Sequence, residues 1–291
     1  MAKLPDLGLL FFYRVVIPGA VIVLVAGPLV LRVFALLGMT DPTAQATASA
    51  VLAAAIGFAL SALDDPIYEF YEGRRGWPEG IRRWATKRLV RKIARLQRSA
   101  GTAKDAEYNE IWSELRHYPL DGEAKPFVAR PTEMGNILAA YEDYSYRTYG
   151  MDADFYWPRL WLVLDDKARK EIDESWAPTD MLLYLSFGLL TLAVVYLSLF
   201  VLSFVPVLAA RDTMVEADRL LVGGSALGFL LGSYLSYHAS LPGHVRNGDY
   251  FMSVFDLYRT ELAKRMESPT PAGAKHWDDL REKLLYKRIR E

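Results

Sequence analysis

Four carboxylates lie within nine residues, directly after a long apolar stretch, and no other group in the chain is better placed to do chemistry: Asp64, Asp65, Glu69 and Glu72. Carboxylates at this spacing can bind a hard cation or act as a general acid–base pair. Alternatively, they end the apolar helix in water, or they pair with Arg74, Arg75 and the basic helix that follows. We favour these plainer alternatives, because Pro66 also marks a helix break here.

The rest of the chain offers no catalytic motif. The sequence contains no cysteine and only four scattered histidines, so neither a thiolate metal site nor a histidine cluster is indicated. It has no phosphate loop of the G-x-x-x-x-G-K-[ST] type, no G-x-S-x-G and no H-E-x-x-H. We therefore predict no catalytic residue, no metal and no cofactor.

The elements that carry these residues are strongly apolar. Four apolar runs occupy residues 15–39, 46–63, 181–210 and 220–241. Crossing about 30 Å of hydrocarbon takes roughly 20 helical residues, and backbone amides in lipid must bond within their own segment. We predict an all-α polytopic membrane protein with four transmembrane helices, the first kinked at Pro18 and Pro28. The alternatives are four buried helices of a soluble domain, or cleavage of the first run as a signal peptide.

Basic residues are sorted along the chain, although the net charge is only −1. Most of the 34 Lys and Arg residues lie between the second and third runs or after the fourth. The positive-inside rule therefore predicts that both termini and the long middle segment are cytoplasmic.

Four regions follow from this layout. Residues 1–65 hold the first two transmembrane helices, and 180–241 hold the other two. Residues 66–179 form a cytoplasmic helical domain inserted between the second and third spans. Residues 242–291 form C-terminal cytoplasmic helices, which we expect to pack on or beside that domain.

Small residues recur every fourth position in two of the spans. Such seams let helices approach closely, within a subunit or between subunits. We expect packing surfaces here, and with them a homo-oligomer. The seam residues are Ser49, Ala53, Gly57 and Ser61 in the second span, and Gly224, Gly228, Gly232, Ser236 and Ser240 in the fourth.

The helix predicted at 79–99 is strongly basic, with Ile81, Trp84, Leu89, Ile93 and Leu96 assigned to one apolar side. That side either dips into an anionic membrane surface or packs on a neighbouring helix. No nucleic-acid-binding motif accompanies the basic residues, so nucleic acid is not predicted as a partner.

An aromatic-rich helical hairpin is predicted after it. Thr132 is the expected N-cap of its first helix and Gly150 the C-cap, while Asp152 caps a second helix that contains Pro158. Its aromatic residues form a core, dock at the membrane interface, or line a pocket for a ligand or cytoplasmic protein partner. The pocket alternative uses Asn136, Glu142, Arg147, Trp157, Arg159 and Trp161.

Three segments resemble the motifs of an uncharacterised family of bacterial multi-pass membrane proteins. "PTEMGNILAAYE" (131–142) with "YGMDADFYWPRLW" (149–161) is similar to the family's "PT-x-LGN-x-L-x-x-x-E" and "RYGLD…WPRLW". "PIYEFYEG" (66–73) and "FDLYR" (255–259) match two further motifs. The resemblance implies four spans and a bacterial inner membrane. It implies no reaction, ligand or catalytic residue.

Three functions remain open at this point. The preferred one is a self-associating membrane protein whose cytoplasmic domain receives a partner or signal and whose spans respond, as a pore or channel. The second is a non-conducting anchor or scaffold for a soluble partner. The third is a membrane-embedded enzyme that uses the four clustered carboxylates.

Overall fold

The computed structural model describes residues 7–119, 129–204, 216–266 and 274–290 of the chain. Every regular element in these ranges is helical, and no strand occurs in them. This confirms the predicted all-α class. In chain order the helices are α1 (Leu7–Phe11), α2 (Ile17–Val25), α3 (Gly27–Leu36), α4 (Pro42–Ala62), α5 (Asp64–Tyr71), α6 (Glu79–Ala100), α7 (Asp105–Leu115), α8 (Glu133–Tyr149), α9 (Ala153–Val163), α10 (Asp166–Leu202), α11 (Glu216–Arg265) and α12 (Ala274–Arg290).

The chain divides into two compact units. The span unit comprises Met1–Ile67 and Glu174–Gly243, and the second unit comprises Tyr68–Asp173 and His244–Glu291. The divisions follow residues 67, 173 and 243, close to the boundaries at 65, 179 and 241 that the sequence suggests.

Four helical segments are long and apolar enough to cross a membrane: Gly8–Val25, Pro42–Ala62, Asp166–Leu202 and Arg219–Arg265. The predicted number of spans is thereby confirmed. The last two helices are much longer than the predicted runs, and the fourth also contains the segment expected to form a separate C-terminal helix. The end of the third predicted run, at 205–210, lies outside the described residues.

The first span starts earlier than the sequence suggests and is interrupted. A π-helical turn at Phe12–Val16 separates α1 from α2, and Ala26 leaves helical geometry with φ −82° and ψ 4° between α2 and α3. Pro18 and Pro28 occupy the first turns of α2 and α3, because a proline lacks the amide hydrogen that a helix interior needs. The kinks predicted at Pro18 and Pro28 therefore correspond to interruptions of the helix. The segment long enough to cross a membrane is Gly8–Val25.

Helix α4 meets α2, and the π-helical turn before α2, through glycine. A Cβ atom on Gly19 would overlap the carbonyl group of Ala53, and one on Gly57 would overlap the carbonyl group of Val15. Only glycine permits so close an approach of two helix backbones. Part of the small-residue seam of the second span is thus filled by the first span.

The third and fourth spans are joined by a hydrogen bond. The Ser186 hydroxyl of α10 donates to the backbone carbonyl of Ser233 in α11 at 2.8 Å, and both residues are buried. Gly188 of α10 lies against the side chain of Ile22. These contacts connect α10 to both α2 and α11 within the span unit.

In the second unit, α8 and α9 form the predicted hairpin. The Thr132 hydroxyl accepts from the Gly135 amide at 2.9 Å, and Asp152 accepts from the Phe155 amide at 3.0 Å. Gly150 ends α8 in the left-handed region with φ 69°, where glycine is the least strained residue. All three predicted caps are confirmed.

The C-terminal helix α12 packs on this hairpin. The buried Tyr156 donates its hydroxyl proton to the backbone carbonyl of Trp277, and the two rings meet edge to face at 5.1 Å. Arg281 forms an ion pair with Asp152 at 2.7 Å. The expectation that C-terminal residues pack on the middle domain is therefore confirmed for α12.

Helix α6 differs from its prediction in one respect. Leu89 and Ile93 are buried in a small core with Leu115 and Tyr118, and Leu96 packs against that core. Ile81 and Trp84, which the sequence assigned to the same apolar side, are 51% and 63% exposed. The apolar side of α6 packs on a neighbouring helix, as one of the two alternatives predicted, and Trp84 does not belong to it.

Candidate functional site

A polar network inside the span unit is the first candidate site. Arg14 lies in the π-helical turn and Asp180 in α10, and both Nε and Nη2 of Arg14 contact Oδ2 of Asp180, at 2.8 Å and 2.7 Å. The Asp180 side chain is only 6% exposed. Burying a carboxylate is costly, and charged side chains in span-length helices generally serve the structure or the function of a membrane protein. π-Helical turns also occur often at functional sites.

A second contact extends this network by one helical turn. The Tyr184 hydroxyl donates to Oδ1 of Asp64 at 2.7 Å, so α10 is tied to the start of α5, directly after α4. Burial raises the pKa of the Asp64 carboxyl, while the Tyr184 hydrogen bond and the nearby Arg14 charge oppose that rise. Arg14, Asp64, Asp180 and Tyr184 thus connect elements of the first three spans; we call them the span network.

Sequence reasoning missed most of the span network. The apolar runs begin at residues 15 and 181, so Arg14 and Asp180 each lie one position outside a predicted span. A charge of opposite sign at each of two span starts is a weak signal for pairing. Nothing in a single sequence says which two starts are neighbours.

The segments that resemble the bacterial family meet in the second unit. A Cβ atom on Gly135 would stand 2.5 Å from the backbone carbonyl oxygen of Glu72. The side chain of Asn136 is fully buried; its Oδ1 accepts from the Arg130 amide at 3.0 Å and its Nδ2 donates to the Arg130 and Thr132 carbonyls. The "PT-x-x-GN" residues therefore serve the local backbone: a cap, a close approach and a buried amide clamp.

Four charged residues lie around the contact between Gly135 and Glu72. Arg130 contacts Glu72 at 2.8 Å and Glu142 at 2.7 Å, and Arg74 contacts the same two carboxylates at 2.5 Å and 3.5 Å. Glu72 is 7% exposed. Burial raises the pKa of Glu72, and the charges of Arg130 and Arg74 act against that rise. We call these four residues the ion cluster.

Alanine in place of Gly135 should destabilise the second unit. The added methyl group meets a backbone oxygen that cannot rotate away, so we expect a loss of about 1–3 kcal/mol in the free energy of unfolding. Gly80→Ala is the matched control, because a Cβ atom there meets nothing within 4 Å and alanine suits a helix better than glycine. Thermal unfolding of both variants in detergent measures the difference; equal midpoints would contradict the close approach.

The remaining residues of the predicted ligand or partner surface are held by separate contacts. Arg147 pairs with Asp143 one turn away at 2.8 Å. The guanidinium group of Arg159 lies 3.6 Å from the centre of the Phe155 ring. Asn136 bonds to the backbone of Arg130 and Thr132, and Glu142 belongs to the ion cluster. The six residues therefore do not share one set of contacts.

Trp157 and Trp161 belong to an aromatic stack. Trp157 stacks on Phe251 of α11 with ring centres 4.5 Å apart and an angle of 30° between the ring planes, and Phe251 contacts Phe255 at 5.0 Å. Trp161 contacts Trp157 at 5.8 Å. This stack joins the hairpin to the C-terminal part of α11 inside the second unit, which is the arrangement that the core interpretation of the aromatic residues predicts.

The four clustered carboxylates belong to different units and different contacts. Asp64 and Asp65 lie in the span unit, and Glu69 and Glu72 in the second. Glu69 pairs with Arg75 at 3.2 Å, and Glu72 belongs to the ion cluster. In the described parts of the chain, no group of three or more His, Cys, Asp or Glu residues is arranged to hold a metal ion.

The seam of the fourth span is covered at one end only. Ser240 is fully buried, Ser233 next to Gly232 is 6% exposed, and a Cβ atom on Gly232 would contact Leu189 of α10 at 3.1 Å. A Cβ atom on Gly224 or Gly228 would meet nothing within 4 Å. Described residues of the chain thus cover the seam from Gly232 onward and leave its first two glycines open.

No family model, curated protein or solved structure matches this chain. The resemblance to the bacterial membrane family therefore stays a prediction, and the geometry above carries the functional argument.

Proposed function

We propose that this chain is a non-enzymatic integral membrane protein of the bacterial inner membrane that assembles into a homo-oligomer. Its second unit, on the cytoplasmic side, receives a protein partner or signal, and its spans respond as a pore or channel. The observation that carries the proposal is the uncovered part of the fourth-span seam at Gly224 and Gly228. A face that allows close helix approach, left open in one copy, suits a second copy in lipid.

The contacts of the small-residue seam in the second span support the proposed self-association. Gly57 and Ala53 are in backbone contact with the first span, so small residues in this protein do serve close helix packing. Large apolar side chains flank the open glycines: Leu227 is 68% exposed and Leu231 59% exposed. Such a surface belongs against lipid or another apolar helix, since water would be a poor solvent for it.

The proposed orientation rests on charge. Basic residues crowd the segments on either side of the third and fourth spans and are sparse between them, which favours a cytoplasmic second unit. Reporter fusions near Tyr146 and at the C-terminus test this point. Both reporters should be active in the cytoplasm, and a periplasmic signal at Tyr146 would overturn the orientation.

Self-association is tested by mass. We expect the purified protein to exceed the 32.9 kDa of one chain in detergent, by native mass spectrometry or light scattering. Gly228→Leu should lower that mass and keep the helical content of the single chain, because its side chain enters open space there. Gly8→Leu makes the same change at another open position and should leave the mass unaltered. A wild-type protein that is strictly one chain per particle would remove the oligomer.

Conduction separates the pore from the anchor. Purified wild-type protein in liposomes should pass ions faster than protein-free liposomes, and Gly228→Leu should reduce that flux together with the mass. Flux equal to that of empty liposomes, in a preparation that is oligomeric, would favour the scaffold that only recruits a soluble partner. Asp64→Ala tests the enzyme alternative: assembly without function would support a catalytic carboxylate, and loss of assembly a structural one.

A further inference from the structure

Helix α6 has one face that is already occupied. Leu89 and Ile93, with exposed fractions of 7% and 4%, pack against Leu115 and Tyr118 in the second unit. Ala85, one turn earlier on the same face, is also buried. This apolar face is therefore not available to dip into a membrane.

The opposite face of α6 is a row of exposed basic side chains headed by a tryptophan. The positions follow the spacing i, i+3, i+4, i+7, i+11 and i+14, which keeps them on one side of a helix. All six residues are exposed, and the row is about 21 Å long at 1.5 Å per residue. We call it the basic stripe: Trp84, Lys87, Arg88, Arg91, Arg95 and Arg98.

The positive charge of the basic stripe is not neutralised within the described residues. Among them, Lys87, Arg88 and Arg91 form no ion pair with a carboxylate, and Arg95 and Arg98 donate to backbone carbonyls of α6 itself. The other basic residues of α6 do pair with acids. Arg82 and Arg83 contact Glu79, and Lys92 contacts Glu114 and Glu133.

Trp84 gives the stripe an apolar end. Its ring is 63% exposed, and the guanidinium carbon of Arg88 lies 5.9 Å from the ring centre. Tryptophan prefers the level of lipid headgroups, where an amphipathic ring has one side in hydrocarbon and one in water. A purely solvated face needs no such residue.

We propose that the basic stripe binds the anionic headgroup surface of a lipid bilayer. Clusters of four to eight basic residues close to a membrane span bind anionic lipid, and each charge raises the affinity about fivefold. Helix α6 begins only 17 residues after the second span-length helix ends at Ala62. When the spans lie in a bilayer, this short connection keeps the bilayer surface at a high effective concentration for the basic stripe. The stripe then binds through its charges, with Trp84 entering the interface, and the buried face of α6 stays in the protein core.

The test uses a single fluorescent label on the full-length protein. The chain has no cysteine, so Ser99→Cys, beside the end of the stripe, gives one site for an environment-sensitive probe. The labelled protein is placed in vesicles of phosphatidylcholine alone or with phosphatidylglycerol, and an uncharged aqueous quencher reports exposure of the probe. We expect phosphatidylglycerol to protect the probe, and about 1 M salt, which shortens the screening length to about 3 Å, to reverse the protection.

Charge removal gives the decisive comparison. Lys87→Gln, Arg91→Gln and Arg98→Gln together should lower the ratio of bound to free stripe about 100-fold, at about fivefold per charge. Arg83→Gln, Lys264→Gln and Arg265→Gln remove three charges from the same unit at residues that already pair with acids, and should leave protection unchanged. Equal loss in both triple variants would overturn the stripe and indicate only a general charge effect.

Two further results would also overturn the proposal. One is equal quenching in both kinds of vesicle, which would mean that the stripe faces water. The other is stronger protection by single-stranded DNA in phosphatidylcholine vesicles than by phosphatidylglycerol, which would assign the stripe to nucleic acid. None of these readings depends on oligomer formation or ion flux, so they stand apart from the proposed function.

Discussion

Replacing Asp180 by alanine should lower the free energy of unfolding by about 3 kcal/mol, since it leaves the partly buried Arg14 charge without its carboxylate. The cost is this large because the Asp180 side chain is 6% exposed and accepts two contacts from one guanidinium group. Denaturation of the purified protein in mixed micelles measures it. We expect the loss to appear as early unfolding of the span unit.

Two variants show whether the effect belongs to the ion pair. Asp166→Ala removes an acid from the same helix whose side chain is fully exposed, and should change stability by less than about 0.5 kcal/mol. Arg14→Met added to Asp180→Leu replaces the pair by apolar groups, which is often neutral for buried pairs. If the double variant is as unstable as Asp180→Ala, the loss in Asp180→Ala does not come from the unpaired Arg14 charge.

Arg130→Ala should have the next largest effect, about 2–3 kcal/mol near neutral pH. It removes the contacts to Glu72 and Glu142 together, while Arg74 remains in contact with both carboxylates. We therefore expect a smaller loss than for Asp180. Chemical unfolding followed by tryptophan fluorescence is a suitable measure, because Trp157 and Trp161 lie in the same unit.

The loss in Arg130→Ala should depend on pH in a definite direction. Burial raises the pKa of Glu72 above its ordinary value of 4.5. The Glu72 carboxyl therefore holds its proton more tightly in the folded state than in the unfolded chain. The stabilising contribution of the protonated form is complete below about pH 4.5 and is lost as the pH rises through the folded pKa. Without Arg130 that pKa rises further. The deficit of the variant should therefore shrink as the pH is lowered from neutral toward 5.

Arg83→Ala is the control for this series. Arg83 also pairs with a glutamate, Glu79, but its side chain is 73% exposed, and exposed pairs contribute little to stability. No measurable change at either pH is expected. A deficit in Arg130→Ala that is constant across this range, or that grows toward acid, would contradict a buried and paired Glu72.

The helices and their ends were largely predictable, because local chemistry fixes them. Thr132 and Asp152 cap α8 and α9 through bonds to amides three residues ahead, and Gly150 supplies a positive φ; each needs only its immediate neighbours. The four apolar runs are equally local, since lipid imposes length and composition on each span separately. The early start of the first span escaped prediction because Arg14 interrupts its apolar pattern.

The candidate sites were less predictable, because they depend on contacts between distant residues. Arg14 and Asp180 are 166 positions apart, and each reads alone as a charge at the edge of a span. The residue type of Trp84 suggests an apolar face, yet its position on α6 places it among basic residues such as Arg88. In the sequence Glu72 is one acid in a cluster after an apolar run, and only the fold brings Arg130 to it.

The glycine contacts between the first two spans limit how the protein can move. With Gly19 against Ala53 and Gly57 against Val15, no layer of side chains separates α4 from α2 and the π-helical turn before it, and sliding one helix past the other would drive carbonyl groups into Cα atoms. These two helices must behave as one rigid body. Among the four span-length helices, a conformational change that keeps the helices intact therefore displaces α10 or α11 relative to that body. Spin labels on α10 should then report distance changes that labels on α2 and α4 do not.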